Sequence, residues 1–311
     1  MIRVLRAGLL YLSEQPTIFR FVRRNAIARK LASRFVAGET LDTAARAVRD
    51  LNAARISASL DLLGESVTTA AEAHSAADTA IQMLERIAAD RLDANVSMKL
   101  TQLGLDLEPA SCAANARRVL ERARSLDIFV RIDMESSAYT QRTLDLVEKE
   151  LFPEFPKHVG VVIQSYLHRS AEDVQRLAGL GMRVRLCKGA YKEPPAVAFP
   201  AKADVDRAYG ELMEALLARG TYPAIATHDE ALIARARRFA DSQRIPSDRF
   251  EFQMLYGVRR DLQEQLVRAG HRMRVYVPFG TQWYPYLMRR LAERPANIAF
   301  ILGNVVKEGL R

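Results

Sequence analysis

Cysteine is nearly absent: Cys112 and Cys187 are the only two in 311 residues. Far apart in sequence, they leave no disulfide framework, no CxxC and no zinc-ligand spacing, and they fit a reducing cytoplasm. No metal site is expected. Long apolar runs are missing too, since no segment offers the roughly twenty uninterrupted apolar residues that a bilayer span needs. The opening residues 1–12 are interrupted by Arg3 and Arg6 and lack a small-residue cleavage pattern, so neither secretion nor a membrane span is expected. There is no GxSxG and no P-loop. Gly179-Leu-Gly181 precedes an apolar run instead of following one and lacks a third glycine, so it reads as a helix-ending turn and not as a dinucleotide fingerprint.

Acidic residues are scarce at the front. Glu14 is the only acid before Phe35, against Arg3, Arg6, Arg20, Arg23, Arg24, Arg29, Lys30 and Arg34. The net charge of +9 is thus concentrated in a local patch. Such a patch fits a solvated helical face or attraction to an anionic membrane surface. Nucleic acid is set aside as a partner, because no recognition motif or aromatic-plus-basic repeat accompanies the charge.

What the chain has is apolar bulk, 49% of its residues, enough for one large domain or two modest ones. From position 56 onward, short runs of Val, Ile and Leu alternate with amphipathic segments of helical period, as in repeated βα units. The spacing predicts eight strands, at 56–63, 95–100, 128–134, 159–165, 182–188, 223–227, 249–254 and 273–278. Pro109 opens one intervening helix, Ser170 with Asp173 resembles a capping start, and Gly181 and Gly270 close others. An unbroken alternation of this length indicates an α/β fold of the (βα)8 type more than an open sheet. Residues 1–52 read as a helical extension packed on a barrel formed by 53–311, with Leu41, Ala44, Ala45, Val48 and Leu51 as an apolar stripe. The proline-rich stretch 192–203, with Pro194, Pro195 and Pro200, is the candidate lid loop.

Active sites in such barrels gather at the carboxyl ends of the strands, and here those ends are polar. They offer in turn Asp61 and Glu65, Lys99, Asp133, Gln164, Arg185 and Lys188, Thr227 and His228, Gln253, and Tyr276. Lys99 suits a Schiff-base nucleophile, a carboxylate-binding cation, or a structural partner of Asp133. Asp133 lies on the side of its strand opposite Val130, Ile132 and Met134, as a base, an ion-pair member or, preferred here, an orienter of Lys99 or of an arginine. Arg289 and Arg290 follow closely on the last strand, in the helical run Tyr286-Leu-Met-Arg-Arg-Leu-Ala-Glu293, a placement suited to gripping a small anion. Neighbouring helical residues diverge by about 100 degrees, so a ligand shared by both must lie across the helix edge. His228 reads as a structural or cofactor hydrogen-bonding group before a catalytic one. Lys188-Gly189-Ala190 lets backbone amides approach a phosphate-bearing cofactor.

Several segments together carry a likeness to a known family: Ser59-Leu-Asp-Leu-Leu-Gly-Glu65, Val96-Ser-Met-Lys-Leu100, Arg131-Ile-Asp-Met-Glu135, Val162-Ile-Gln-Ser-Tyr-Leu167, Val184-Arg-Leu-Cys-Lys-Gly-Ala-Tyr191, Ala226-Thr-His228, Glu251-Phe-Gln-Met-Leu-Tyr-Gly257 and the closing block 276–293. In this order they resemble the monofunctional bacterial proline dehydrogenases, which are FAD-dependent. The resemblance implies a distorted (βα)8 TIM-type barrel that oxidises L-proline to 1-pyrroline-5-carboxylate by hydride transfer to FAD and passes electrons to a membrane quinone. It implies that Lys99, Arg289 and Arg290 hold the substrate carboxylate, with Asp133 positioning Lys99 and Glu293 anchoring the arginines. It makes Tyr276, Leu255 and Tyr191 the wall around the ring. Met134, Gln164, Arg185, Lys188, Gly189, Ala190, Thr227 and His228 become flavin contacts, Arg185 nearest the nitrogen that accepts hydride. Asp229 and Cys187 depart from the family's common asparagine and valine. A separate pyrroline-5-carboxylate dehydrogenase is expected to take the product, and the basic front to give peripheral contact with the inner face of the membrane. The residues alone leave a lysine-dependent aldolase and a non-catalytic basic barrel as alternatives.

Overall fold

The computed structural model describes residues 32–64 and 67–293, the side chains of 289–293 excepted. Its eight strands are β1 (Ser57–Leu62), β2 (Ala94–Met98), β3 (Val130–Ile132), β4 (Val159–Gln164), β5 (Arg183–Cys187), β6 (Ala224–Ala226), β7 (Glu251–Leu255) and β8 (Met273–Phe279). Each pairs in parallel with the next, and β8 returns to β1 to close the barrel. Every strand expected from the sequence is present, with its ends within two residues of the predicted ones.

The helices are α1 (Leu41–Ala53), α2 (Ala70–Ala89), α3 (Pro109–Ser125), α4 (Ser137–Leu146), α5 (Ser170–Gly179), α6 (Lys202–Arg219), α7 (Glu230–Ser242), α8 (Arg260–Arg268) and α9 (Trp283–Glu293). None of the described helices is long and apolar enough to cross a membrane. Thr40 caps α1 by accepting a hydrogen bond from the Thr43 amide, and Ala44, Ala45 and Val48 face the core. Ahead of α1, Ala32, Phe35 and Val36 pack against Trp283, Tyr284 and Leu287 of α9. Residues 1–31, which carry most of the basic patch, lie outside the described residues. Pro109 starts α3 as expected, since its missing N–H is one that the first turn leaves unpaired anyway. Ser170 does not cap α5: it is the first helical residue, its hydroxyl donates to the Gln164 carbonyl at 2.6 Å, and Asp173 accepts from the preceding Arg169.

Strand alternation divides the barrel into two interiors. Outward residues such as Ala58, Leu60, Val96, Val130 and Ile132 meet Leu84, Val119, Leu177 and Leu216 of the helices in one apolar layer. The other face of each strand fills the lumen, where most side chains are polar in place of the branched aliphatics usual in such barrels. At its floor, Arg274 Nε donates to both oxygens of Glu251, at 2.9 and 3.1 Å, and its Nη1 donates to the Ala58 carbonyl at 2.7 Å. Burial alone would raise the Glu251 carboxyl, but the Arg274 guanidinium, with Gln253 and Arg131, brings it below its ordinary range. Arg131, only 1% exposed, donates through Nη1 to the carbonyls of Val161 and Arg183.

Arg131 has room because Gly160 faces it. A Cβ on Gly160 would meet the Arg183 carbonyl oxygen at 2.3 Å and Arg131 Nη1 at 3.0 Å. Gly160→Ala is expected to destabilise the fold by about 1–3 kcal/mol, the usual penalty of overpacking, in a denaturant titration. An unchanged midpoint would mean that the floor yields. Cys112 sits in the apolar layer, where burial pushes its thiol up to about 12 and Sγ donates to the Leu100 carbonyl. A thiol reagent is expected to leave Cys112 unmodified in the folded protein and to label it on denaturation.

Candidate active site

Above the floor, the side chains nearest the strand exits form one connected set. The parallel register of β1 and β2 places Asp61 beside Ser97, and Lys99 follows just beyond the end of β2. Lys99 Nζ donates to Asp61 Oδ1 at 3.2 Å. Asp61 is 1% exposed, and burial raises its carboxyl pKa against the pull of the Lys99 ammonium. Across the lumen, Arg185 Nη1 donates to Asp133 Oδ1 at 2.7 Å and the Tyr276 hydroxyl donates to Asp133 Oδ2 at 2.8 Å. Burial, then the Asp133 and Asp61 carboxylates, hold the Tyr276 phenol well above its ordinary value, so it stays a donor. The Arg185 guanidinium lies over the Tyr276 ring, 5.3 Å from its centroid. Asp133 is thus the partner of an arginine and a tyrosine, while the ion pair of Lys99 runs to Asp61.

These groups open into a cavity of about 640 Å³ at the carboxyl ends of the strands. Lys99, Asp133, Met134, Gln164, Arg185 and Lys188 all line it, and so do Gly189, Ala190, Tyr191, Thr227, His228, Leu255 and Tyr276. Local chemistry fixes several of them. Gln164 Nε2 donates to the Glu135 carbonyl at 2.8 Å, pinning the amide at the exit of β4. His228 Nε2 accepts from the Leu255 amide at 2.9 Å, which puts the ring proton of neutral His228 on Nδ1. Lys188 is held between Asp206 at 2.6 Å and Asp229 at 2.9 Å, and Asp229 also caps α7 through the Ala231 amide.

Gly189 adopts a φ of +110°, and a Cβ there would meet the Tyr166 ring at 2.3 Å, so glycine is required on both counts. The loop that follows, expected as a lid, is tied down. Glu193 accepts from the Ser137 amide at 2.7 Å and from its hydroxyl at 2.5 Å, and Leu167 bridges to Ala198. Arg289, Arg290 and Glu293 belong to the helical backbone of α9, but their side chains lie outside the described residues, as does Glu65.

Sequence reasoning did not assign roles to Asp61, Ser59 or Ser97. The signal for Asp61 was its alternation with Leu60 and Leu62. The two serines carry none, because a small hydroxyl inside a strand is an ordinary residue. Among the described residues no three of His, Cys, Asp or Glu gather as a metal site.

The chain is similar to known proteins in both sequence and fold. The family described as proline dehydrogenase matches residues 44–302. Proline dehydrogenase 1 of Bacillus subtilis is 42% identical over 305 residues, covering 98% of this chain and 100% of that protein. Proline dehydrogenase of Deinococcus radiodurans is 41% identical over 306 residues, covering 97% and 98%. Among solved structures, proline utilization A from Bdellovibrio bacteriovorus, inactivated by N-propargylglycine, superimposes with a TM-score of 0.81 at 28% identity. That match covers 89% of this chain and 34% of the longer one. A matched pattern over most of the chain, and full-length relatives at this identity, establish that the chain belongs to the proline dehydrogenase family of oxidoreductases.

Proposed function

We propose that this chain oxidises L-proline to 1-pyrroline-5-carboxylate with FAD as hydride acceptor, and that the electrons pass on to a membrane quinone. Family membership leaves the aldolase and non-catalytic readings without support. The observation that carries the reading is Arg185, a buried guanidinium that lines the cavity and is held there by Asp133. A fixed cation in that wall suits the ring nitrogen and carbonyl oxygens of a flavin, which are hydrogen-bond acceptors. The wall fits the rest of that cofactor. Met134, Gln164, Thr227 and His228 offer an apolar face and hydrogen-bonding groups, and Gly189 and Ala190 offer open backbone to the phosphates beside the Lys188 ammonium that Asp206 and Asp229 hold in place. FAD when bound supplies a two-electron acceptor able to take hydride from carbon.

The reaction removes hydride from the ring carbon next to nitrogen and a proton from nitrogen, leaving a C=N bond. The chain's residues prepare it. Lys99, Arg289 and Arg290 clamp the carboxylate, which orients the ring without touching the reacting atoms, and Glu293 anchors the arginines. Tyr276, Leu255 and Tyr191 wall the ring and exclude water. Asp133, with one oxygen taken by Arg185 and the other by Tyr276, positions both and holds the Arg185 cation beside the flavin, where a cation favours the reduced anion.

Of the helical extension expected at 1–52 and the catalytic barrel expected at 53–311, residues 1–31 and 294–311 lie outside the described residues. The protein is cytoplasmic, and its basic front makes reversible contact with anionic lipid at the inner membrane face, where the quinone lies. The product passes to a separate pyrroline-5-carboxylate dehydrogenase. Nucleic acid is not a partner.

Anaerobic addition of L-proline to the purified holoprotein is expected to bleach its flavin absorbance; a spectrum indifferent to proline would overturn the reading. Arg289→Met or Arg290→Met is expected to raise the KM for proline by the equivalent of about 2–5 kcal/mol while flavin stays bound. Unaltered steady-state kinetics would remove the clamp.

A further inference from the structure

One layer below Asp61 and Lys99, on the same lumen face of β1 and β2, stand Ser59 and Ser97, both fully enclosed. Arg185 Nη2 donates to both hydroxyl oxygens, at 3.3 Å to Ser59 and 3.2 Å to Ser97. The hydroxyls lie 3.2 Å apart, and Ser59 Oγ donates to Asn95 Oδ1 at 2.5 Å. Since the Ser59 proton is committed to Asn95, Ser59 is an acceptor toward Ser97, and the Ser97 proton points to Ser59. Both hydroxyls therefore turn lone pairs to the guanidinium. The order runs from Arg185 through Ser97 and Ser59 to Asn95, and the amide oxygen of Asn95 sets its direction.

A guanidinium held only by Asp133 could pivot about that contact. Held also from below at Nη2, it has a fixed plane in the wall of the cavity. We propose that Ser97, Ser59 and Asn95 form a positioning shelf that fixes the orientation of the Arg185 cation and thereby sets the reduction potential of the bound flavin. This inference rests on the flavin-dependent reading above. The serines act through Arg185 and touch neither substrate nor cofactor.

The test uses the holoprotein carrying Ser97→Ala, Ser59→Ala, Ser97→Thr or Asn95→Ala, with Arg185→Met as reference. The flavin midpoint potential, the single-turnover rate of reduction by proline and the KM for proline are measured in each. Losing one hydrogen bond to the cation is expected to move the potential to more negative values and slow flavin reduction about tenfold. KM is expected to stay within about twofold, and Ser97→Thr, which keeps the hydroxyl, to restore potential and rate. A packing defect alone would leave the potential where it was. If Arg185→Met shifts the potential and the alanine variants do not, the shelf is refuted and the flavin reading stands. If Arg185→Met also leaves it unmoved, the placement of Arg185 beside the flavin falls, and the shelf with it. Should the serine variants fail to fold, Asn95→Ala decides by the same criterion, because it frees the Ser59 proton while both serines remain.

Discussion

A buried charge persists only where its counter-charge and hydrogen bonds are buried with it, and this barrel carries that requirement from the floor of its lumen to the mouth. At the floor Glu251 is matched by Arg274; at the mouth Asp61 is matched by Lys99 and Asp133 by Arg185. Between them, neutral hydroxyls and amides join the layers. Each pair joins different strands or their exits, so none exists until those strands are in register, and Asp133 with Arg185, which skips β4, also needs the sheet to curl so that the two meet across the lumen. The closed barrel is therefore both scaffold and condition: it supplies the low-dielectric interior that makes these contacts strong, and the contacts keep that interior from being a liability.

The arrangement also divides labour between the two ends of the barrel. Floor charges are consumed by one another and by backbone carbonyls, as Arg131 shows by donating to Val161 and Arg183. Mouth charges also line the cavity. Asp133 has each oxygen engaged by a side chain and Arg185 is bonded to Asp133, Ser59 and Ser97, yet both face the ligand space. A site built this way binds ligand without first breaking its own ion pairs, which is what preorganisation means in physical terms.

How much of this was legible in the sequence differs by kind of information. Strand positions were, because apolar runs and turn residues repeat locally and the eight cycles need no long-range knowledge. The polar strand exits followed from alternation alone: Lys99, Asp133, Gln164 and Arg185 all line the cavity as their phase requires. Pairing was not legible, because it depends on side-chain reach across the lumen. Alternation leaves Asp133 open between Lys99 and an arginine, and the partner that decides it, Arg185, lies 52 residues away in sequence. Ser59 and Ser97 escaped notice for the same reason, reaching Arg185 from 126 and 88 residues away. Ser170 departs from the capping role that its sequence context suggests because its hydroxyl has a stronger local use, the Gln164 carbonyl.

Arg131, Glu251 and Arg274 fill the lumen beneath the cavity and none of them lines it. Among the described residues, the way to Arg185 therefore runs by the strand-exit side. Traffic through a single doorway has to take turns, so incoming metabolite, outgoing product and any oxidant that regenerates the site are placed in sequence by architecture, before any difference in their affinities is considered.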